Sequence, residues 1–133
     1  MRYVMFILMF AVAFTSCRKE LVDTSLNTLE DVTTASELES AIEKGVTVVF
    51  FHATWCSVCE EQRPAVESAA ESEDAEGITF LEVDHVDNKS LFKDYDVDGF
   101  PQILFFSDGD ERERLKGKGH SVEDIISTAN KYL

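Results

Sequence analysis

Basic side chains are scarce in this 133-residue sequence, where 12 Lys and Arg stand against 26 Asp and Glu for a formal charge of −14. That balance excludes nucleic acid as the main partner, because such binding rests on cations neutralising phosphates. Two prolines and six glycines exclude a collagen-like repeat. Three cysteines are too few for a disulfide-dense miniprotein. No second cysteine pair completes a four-ligand zinc set, and His52, His85 and His120 are scattered along the chain. The longest apolar run, Tyr3 to Phe14, would span roughly 18 Å as a helix, against the ~30 Å of a bilayer core. What is present, 44% hydrophobic and 29% charged residues, suits one domain with its own core. The odd cysteine count needs an explanation.

The N-terminus supplies one. Met1 and Arg2 precede the apolar run, Thr15 and Ser16 follow it, and the chain turns polar at Arg18, Lys19 and Glu20. These are the parts of a secretory signal, a better reading than a permanent helical anchor. Phe14-Thr15-Ser16-Cys17 resembles the lipobox of bacterial lipoproteins, in which cleavage exposes a cysteine that carries lipid, with Phe14 where that family usually has Leu. The resemblance implies a signal peptide over 1–16, lipidation of Cys17, a polar tether over 17–28 and a domain over 29–133. It also implies an extracytoplasmic location on a bacterial membrane facing the periplasm. Arg18 after Cys17, in place of the Asp that marks inner-membrane retention in some bacteria, favours the outer membrane.

Within the domain, Ser36 with Glu39, or Thr34 with Glu37, can box a helix through Leu38, Ala41 and Ile42 that stops at Gly45. Val46 to His52 is an apolar, β-branched run that predicts a strand buried on both faces. A helix follows Cys59, with Val66, Ala69 and Ala70 inward, Pro64 as a kink and an end before Gly77. Ile78–Asp84 predicts a strand, Ser90–Tyr95 a short helix and Gln102–Ser107 a strand. Asp108-Gly109 predicts a hairpin turn, Glu111–Leu115 the return strand, and Ser121 with Asp124 the cap of a last helix. That helix is expected to turn Val122, Ile125, Ile126, Ala129 and Leu133 inward. From Val46 onward the order reads βαβαββα, which implies an α/β fold with a mixed central sheet flanked by helices.

Trp55-Cys56-Ser57-Val58-Cys59 falls where the buried strand gives way to a helix. A helix N-terminus carries about half a positive charge and free N–H groups, which favour a thiolate at Cys56, the form that attacks disulfides. Two intervening residues leave Cys59 within reach to resolve a mixed disulfide. A structural disulfide closing so small a loop removes little unfolded-state entropy, and haem attachment needs a histidine where Glu60 stands.

These residues resemble the thioredoxin family. Trp55 before the Cys-x-x-Cys, Pro64 five residues beyond it, Phe100-Pro101 opening a strand and Gly109 in the next hairpin all match family positions. The resemblance implies a thioredoxin fold and a thiol-disulfide oxidoreductase with Cys56 and Cys59 as the catalytic pair. It places Trp55, Phe100 and a cis Pro101 around the substrate groove and Gly117 in a strand at a close approach. No cofactor and no metal are expected. The expected partners are protein disulfide or dithiol clients and a second redox protein, as electron donor or acceptor, in the membrane. Phe50 stands where the family places a buried acid, which removes the usual proton acceptor for the resolving cysteine. His52 could shuttle protons, but packing at the strand end is the favoured reading. Ser57-Val58 lacks the histidine of strong oxidants, and Glu60 and Glu61 are expected to oppose a thiolate at Cys56, so the pair is read as a reductant. The alternative from another class is a membrane-anchored adaptor with idle cysteines. Asp94-Tyr95-Asp96-Val97-Asp98-Gly99 matches the opening of a calcium loop, yet its twelfth position is Phe105, and Asp84, His85 and Asp87 are left as loop caps.

Overall fold

The computed structural model describes residues 28–133. The signal segment, Cys17 and nearly all of the tether lie outside the described residues. Among those described, no helix is long and apolar enough to cross a membrane.

Five strands form one sheet in the order β1-β3-β2-β4-β5. β2 (Val46–His52) lies at its centre, parallel to β3 (Ile78–Asp84) and antiparallel to β4 (Gln102–Ser107). Every residue of β2 is buried, as expected for a run without alternation. β5 (Asp110–Lys116) returns along β4 through Asp108 and Gly109, both with positive φ, a geometry that suits a tight hairpin. Its charged side chains guard that edge of the sheet. The other edge, β1 (Glu30–Asp31), is a two-residue strand beside β3 that no sequence pattern marks.

Helices cover both faces. α1 (Ala35–Ile42) and α3 (Lys89–Asp94) pack over Val49, Phe51, Leu81, Val83, Leu104 and Phe106. α2 (Ser57–Ala70) and α4 (Val122–Asn130) cover the opposite face, over Val48, Phe50, Ile78, Phe80, Ile103 and Phe105. Thr34 with Glu37 forms the capping box of α1, and Ser121 with Asp124 that of α4. α2 runs through Pro64, which lies on its exposed side, where a carbonyl without its N–H partner can face water.

Three expectations need correction. Leu133 is 64% exposed, because α4 ends at Asn130 and the chain leaves the face it covers. Gly117 follows β5 rather than lying within it, and nothing crowds the place of a side chain there. Its φ of +80° is what requires glycine, as it turns the backbone so that its N–H donates to the Pro101 carbonyl at 2.9 Å. The short helix starts one residue earlier and ends one earlier than the pattern suggests.

Candidate active site around Cys56 and Cys59

β2 ends at His52, and a turn closed by the Cys56 N–H donating to the Ala53 carbonyl at 3.1 Å delivers Cys56 to the N-cap of α2. The Cys56 sulfur accepts the Cys59 N–H at 3.2 Å, filling one of the orphan donors of the helix start. Both cysteines are buried and reduced, with Cys59 the deeper at 2% exposure. Burial, then the hydrogen bond with Cys56, pushes the Cys59 thiol up to about 12, against the opposing pull of the Ala53 N–H and the Arg63 charge. The two sulfurs therefore differ in access and in the environment that a negative charge would meet.

Across from them the Phe100–Pro101 peptide is cis, and the Phe100 carbonyl lies 4.0 Å from the Cys56 sulfur. Trp55, 68% exposed, stands edge-on to Phe100 with ring centroids 5.3 Å apart. His85 and Phe92 extend this aromatic wall, at 5.1 and 5.7 Å from the Phe100 ring. Trp55, Phe100 and Pro101, singled out in the sequence, are brought together here, whereas His85 reads in the sequence as a loop residue. Its partner Asp84 does act as a turn former, accepting the Val86 N–H at 2.9 Å.

The Thioredoxin family profile matches residues 29–131. Over 100 residues, 75% of this chain and 94% of the relative, it is 34% identical to a thioredoxin of Staphylococcus epidermidis. The chain belongs to the thioredoxin family.

Among solved structures, the thioredoxin of Fasciola hepatica superposes with a TM-score of 0.69 at 30% identity, covering 79% of this chain and all of that one. A segment of 86 residues, 65% of this chain, is 31% identical to Protein disulfide isomerase-like 1-4 of Arabidopsis thaliana, of which it spans only 14%. The fold is thus the thioredoxin fold, and the chain is a thiol-disulfide oxidoreductase in the general sense, with the pair Cys56 and Cys59 separated by two residues.

Behind the pair, β2 carries no acid. Phe50, where the resemblance leads one to expect an acid, is fully buried and stacks on His52 with centroids 5.1 Å apart. The acid on this face is instead Glu82, one strand over, which sequence reading missed because a single Glu in a mostly apolar strand gives no signal of its own. Its carboxylate meets His52 Nε2 at 2.8 Å and Arg63 Nη2 at 2.6 Å. Burial opposes its charge, but the hydrogen bonds from His52 and Arg63 and the charge of Arg63 hold its carboxyl down to about 2. Arg63 Nη2 also lies 3.3 and 3.2 Å from the two ring nitrogens of His52, and the guanidinium carbon lies 5.5 Å from the Phe50 centroid. His52 is packed and bonded at the strand end. A cleft of about 230 Å³ opens this cluster to solvent, lined also by Asp31, Thr54, Asp84 and Asp87.

Glu60 is exposed on α2, and Glu61 is ion-paired with Lys118 in the loop before α4. Buried Gln62 joins the same loop, donating to the His120 carbonyl at 2.7 Å and accepting its N–H at 3.0 Å. The calcium-like stretch is spent otherwise, since the Asp98 carboxylate accepts from Gln102 at 3.0 Å and pairs with Lys116 at 3.4 Å. Among the described residues no group of His, Cys, Asp or Glu is arranged to hold a metal ion.

Proposed function

We propose that this protein reduces protein disulfides outside the cytoplasm, held by lipid at Cys17 to a bacterial membrane that faces the periplasm. The observation that carries the reductase reading is the asymmetry of the pair. Cys56 sits at a helix cap beside an aromatic wall, while Cys59 is deep and its thiol is raised to about 12. Cys56 attacks the client disulfide, a mixed disulfide forms, and Cys59 displaces the client from it, leaving the client reduced and the pair oxidised. Electrons then return from a second redox protein in the membrane. Trp55 and Phe100 give an extended client segment an apolar wall.

The direction rests on what surrounds Cys56. The Cys59 N–H donates to its sulfur, and the nearby Phe100 carbonyl can accept a hydrogen bond from a thiol but repels a thiolate. Neither Ser57 nor Val58 adds a cation, and Glu60 adds an anion within a turn. A reduced state given so little charge stabilisation yields its electrons readily. Equilibration with glutathione or dithiothreitol is expected to place the potential near about −270 mV, and a value near about −120 mV would overturn the reductant assignment. Cys59→Ser should trap clients as mixed disulfides on Cys56. Cys17→Ser should release the protein from the membrane fraction, and retention of that variant in membranes would sink the lipid anchor.

A further inference from the structure

We propose that Arg63, braced by Glu82 and His52, is the positioning residue that favours negative charge on Cys59 as it resolves the mixed disulfide; this rests on the exchange chemistry proposed above. Arg63 lies four residues after Cys59, one turn along the same face of α2. An arginine there could reach out to water, and one arm does meet Glu67 at 3.3 Å. The other arm is turned inward by the Glu82 carboxylate at 2.6 Å, with His52 Nδ1 3.3 Å away. Phe50, under the guanidinium, belongs to the same packed cluster as Cys59 and Ala53. The cation is therefore held against the sheet one helical turn from the resolving cysteine, and its charge favours a thiolate there against the cost of burial.

The acid of this cluster is not the base for the step. Its carboxylate is already engaged by His52 and Arg63, which hold it well below the usual carboxylate range and make it a poor acceptor for a thiol proton. Glu82 is the brace, and the cation does the electrostatic work. In the resolving step the Cys59 thiol loses its proton to water, its sulfur bonds to Cys56, and the client–Cys56 bond breaks. The client sulfur leaves with the electron pair and is protonated from water. The ionisable groups around the cation are Cys59 and Glu67 on α2, His52 on β2 and Glu82 on β3. Asp31, Asp84 and Asp87 stand at the cleft.

The mixed disulfide of Cys56 with thionitrobenzoate isolates this step, because attack by Cys59 releases the coloured thiol in a single first-order phase. Arg63→Gln is expected to slow release about tenfold at neutral pH and to displace the rate-against-pH line by about one unit to higher pH. Arg63→Lys, which restores the charge, is expected to return to within about threefold of the unmodified protein. Arg63→Met, which retains the apolar stem, repeats the first comparison if the Gln variant does not fold. Release at the unmodified rate in Gln or Met variants that melt normally would overturn the proposal, as would a Lys variant as slow as Gln. No release from the unmodified protein would instead overturn the exchange chemistry itself.

Discussion

The starts of α2 and α4 obey one spacing rule and put it to different use. In α4, Ser121 caps and Asp124 sits three residues on; in α2, Cys56 caps and Cys59 sits three residues on. Each cap side chain accepts the N–H of the third residue, at 3.1 Å for Ser121 and 3.2 Å for Cys56. In α4 the box closes, because the Asp124 carboxylate accepts the Ser121 N–H at 2.8 Å. In α2 it does not close: the Cys56 N–H goes to Ala53, and the Cys59 side chain turns into the core. A Cys-x-x-Cys at a helix start is thus a capping box with half of its bonds withheld. The α4 box spends the helix dipole on a resident carboxylate, whereas α2 keeps its N-terminal donors for a sulfur that changes partner and charge.

Cys56→Ser gives the sharpest separation of the two uses. Serine caps at least as well as cysteine, so the melting free energy is expected to stay within about 0.5 kcal/mol. Insulin reduction should fall by at least about 10³-fold, since the attacking sulfur is gone. A variant that keeps its activity would mean that the chemistry lies elsewhere or that the fold serves only as an adaptor.

The two positions of the α2 box should also differ in reactivity. With its thiol raised by burial and almost no exposure, Cys59 presents far less thiolate at pH 7 than an ordinary cysteine. Iodoacetamide under native conditions is therefore expected to label Cys56 at least about 100-fold faster than Cys59, as read by peptide mass spectrometry. The raised thiol also carries a sign for stability. It favours the folded state fully below the ordinary thiol value near 9, and that contribution is lost as pH rises from there through about 12. Reduced protein should lose stability over that range, and oxidised protein, which has no thiol to titrate, should not lose it by this route.

How much of this was legible beforehand follows from how local each signal is. The box of α4, the buried run of β2 and the hairpin at Asp108-Gly109 each lie within a few consecutive residues and could be read from them, and for α1 the pattern left two boxes, of which Thr34 with Glu37 forms. The Cys pair, Trp55 and Phe100-Pro101 could be singled out because their spacing is specific, and the structure brings them together. Glu82 was invisible because its meaning comes from Arg63, 19 residues earlier, and from His52 on the neighbouring strand. His85 acquires its place in the wall only when α3 and the Phe100 loop meet it. β1 is two residues long and owes its pairing to β3 rather than to any periodicity of its own.

The smallest predicted effect tests the closed box. Ser121→Ala removes the acceptor for the Asp124 N–H and should cost about 1 kcal/mol at pH 7, with the redox potential unchanged. Thr34→Ala should behave alike in α1, where Glu37 completes the box. The bonds from the Ser121 N–H and hydroxyl hold the Asp124 carboxyl below its ordinary 3.8, and those from Thr33 and Thr34 hold Glu37 below 4.5. A depressed carboxyl stabilises the fold above its unfolded value and loses that contribution as pH falls through the folded one. The cost of Ser121→Ala should therefore shrink in acid as Asp124 takes up its proton, because the box is then already half open. Denaturant melts at pH 7 and pH 3 measure this directly. The α2 cap has no carboxylate at its third position, so Cys56→Ser should show no such acid dependence. An equal pH dependence in the two variants would mean that the difference between the boxes does not lie in their third residue.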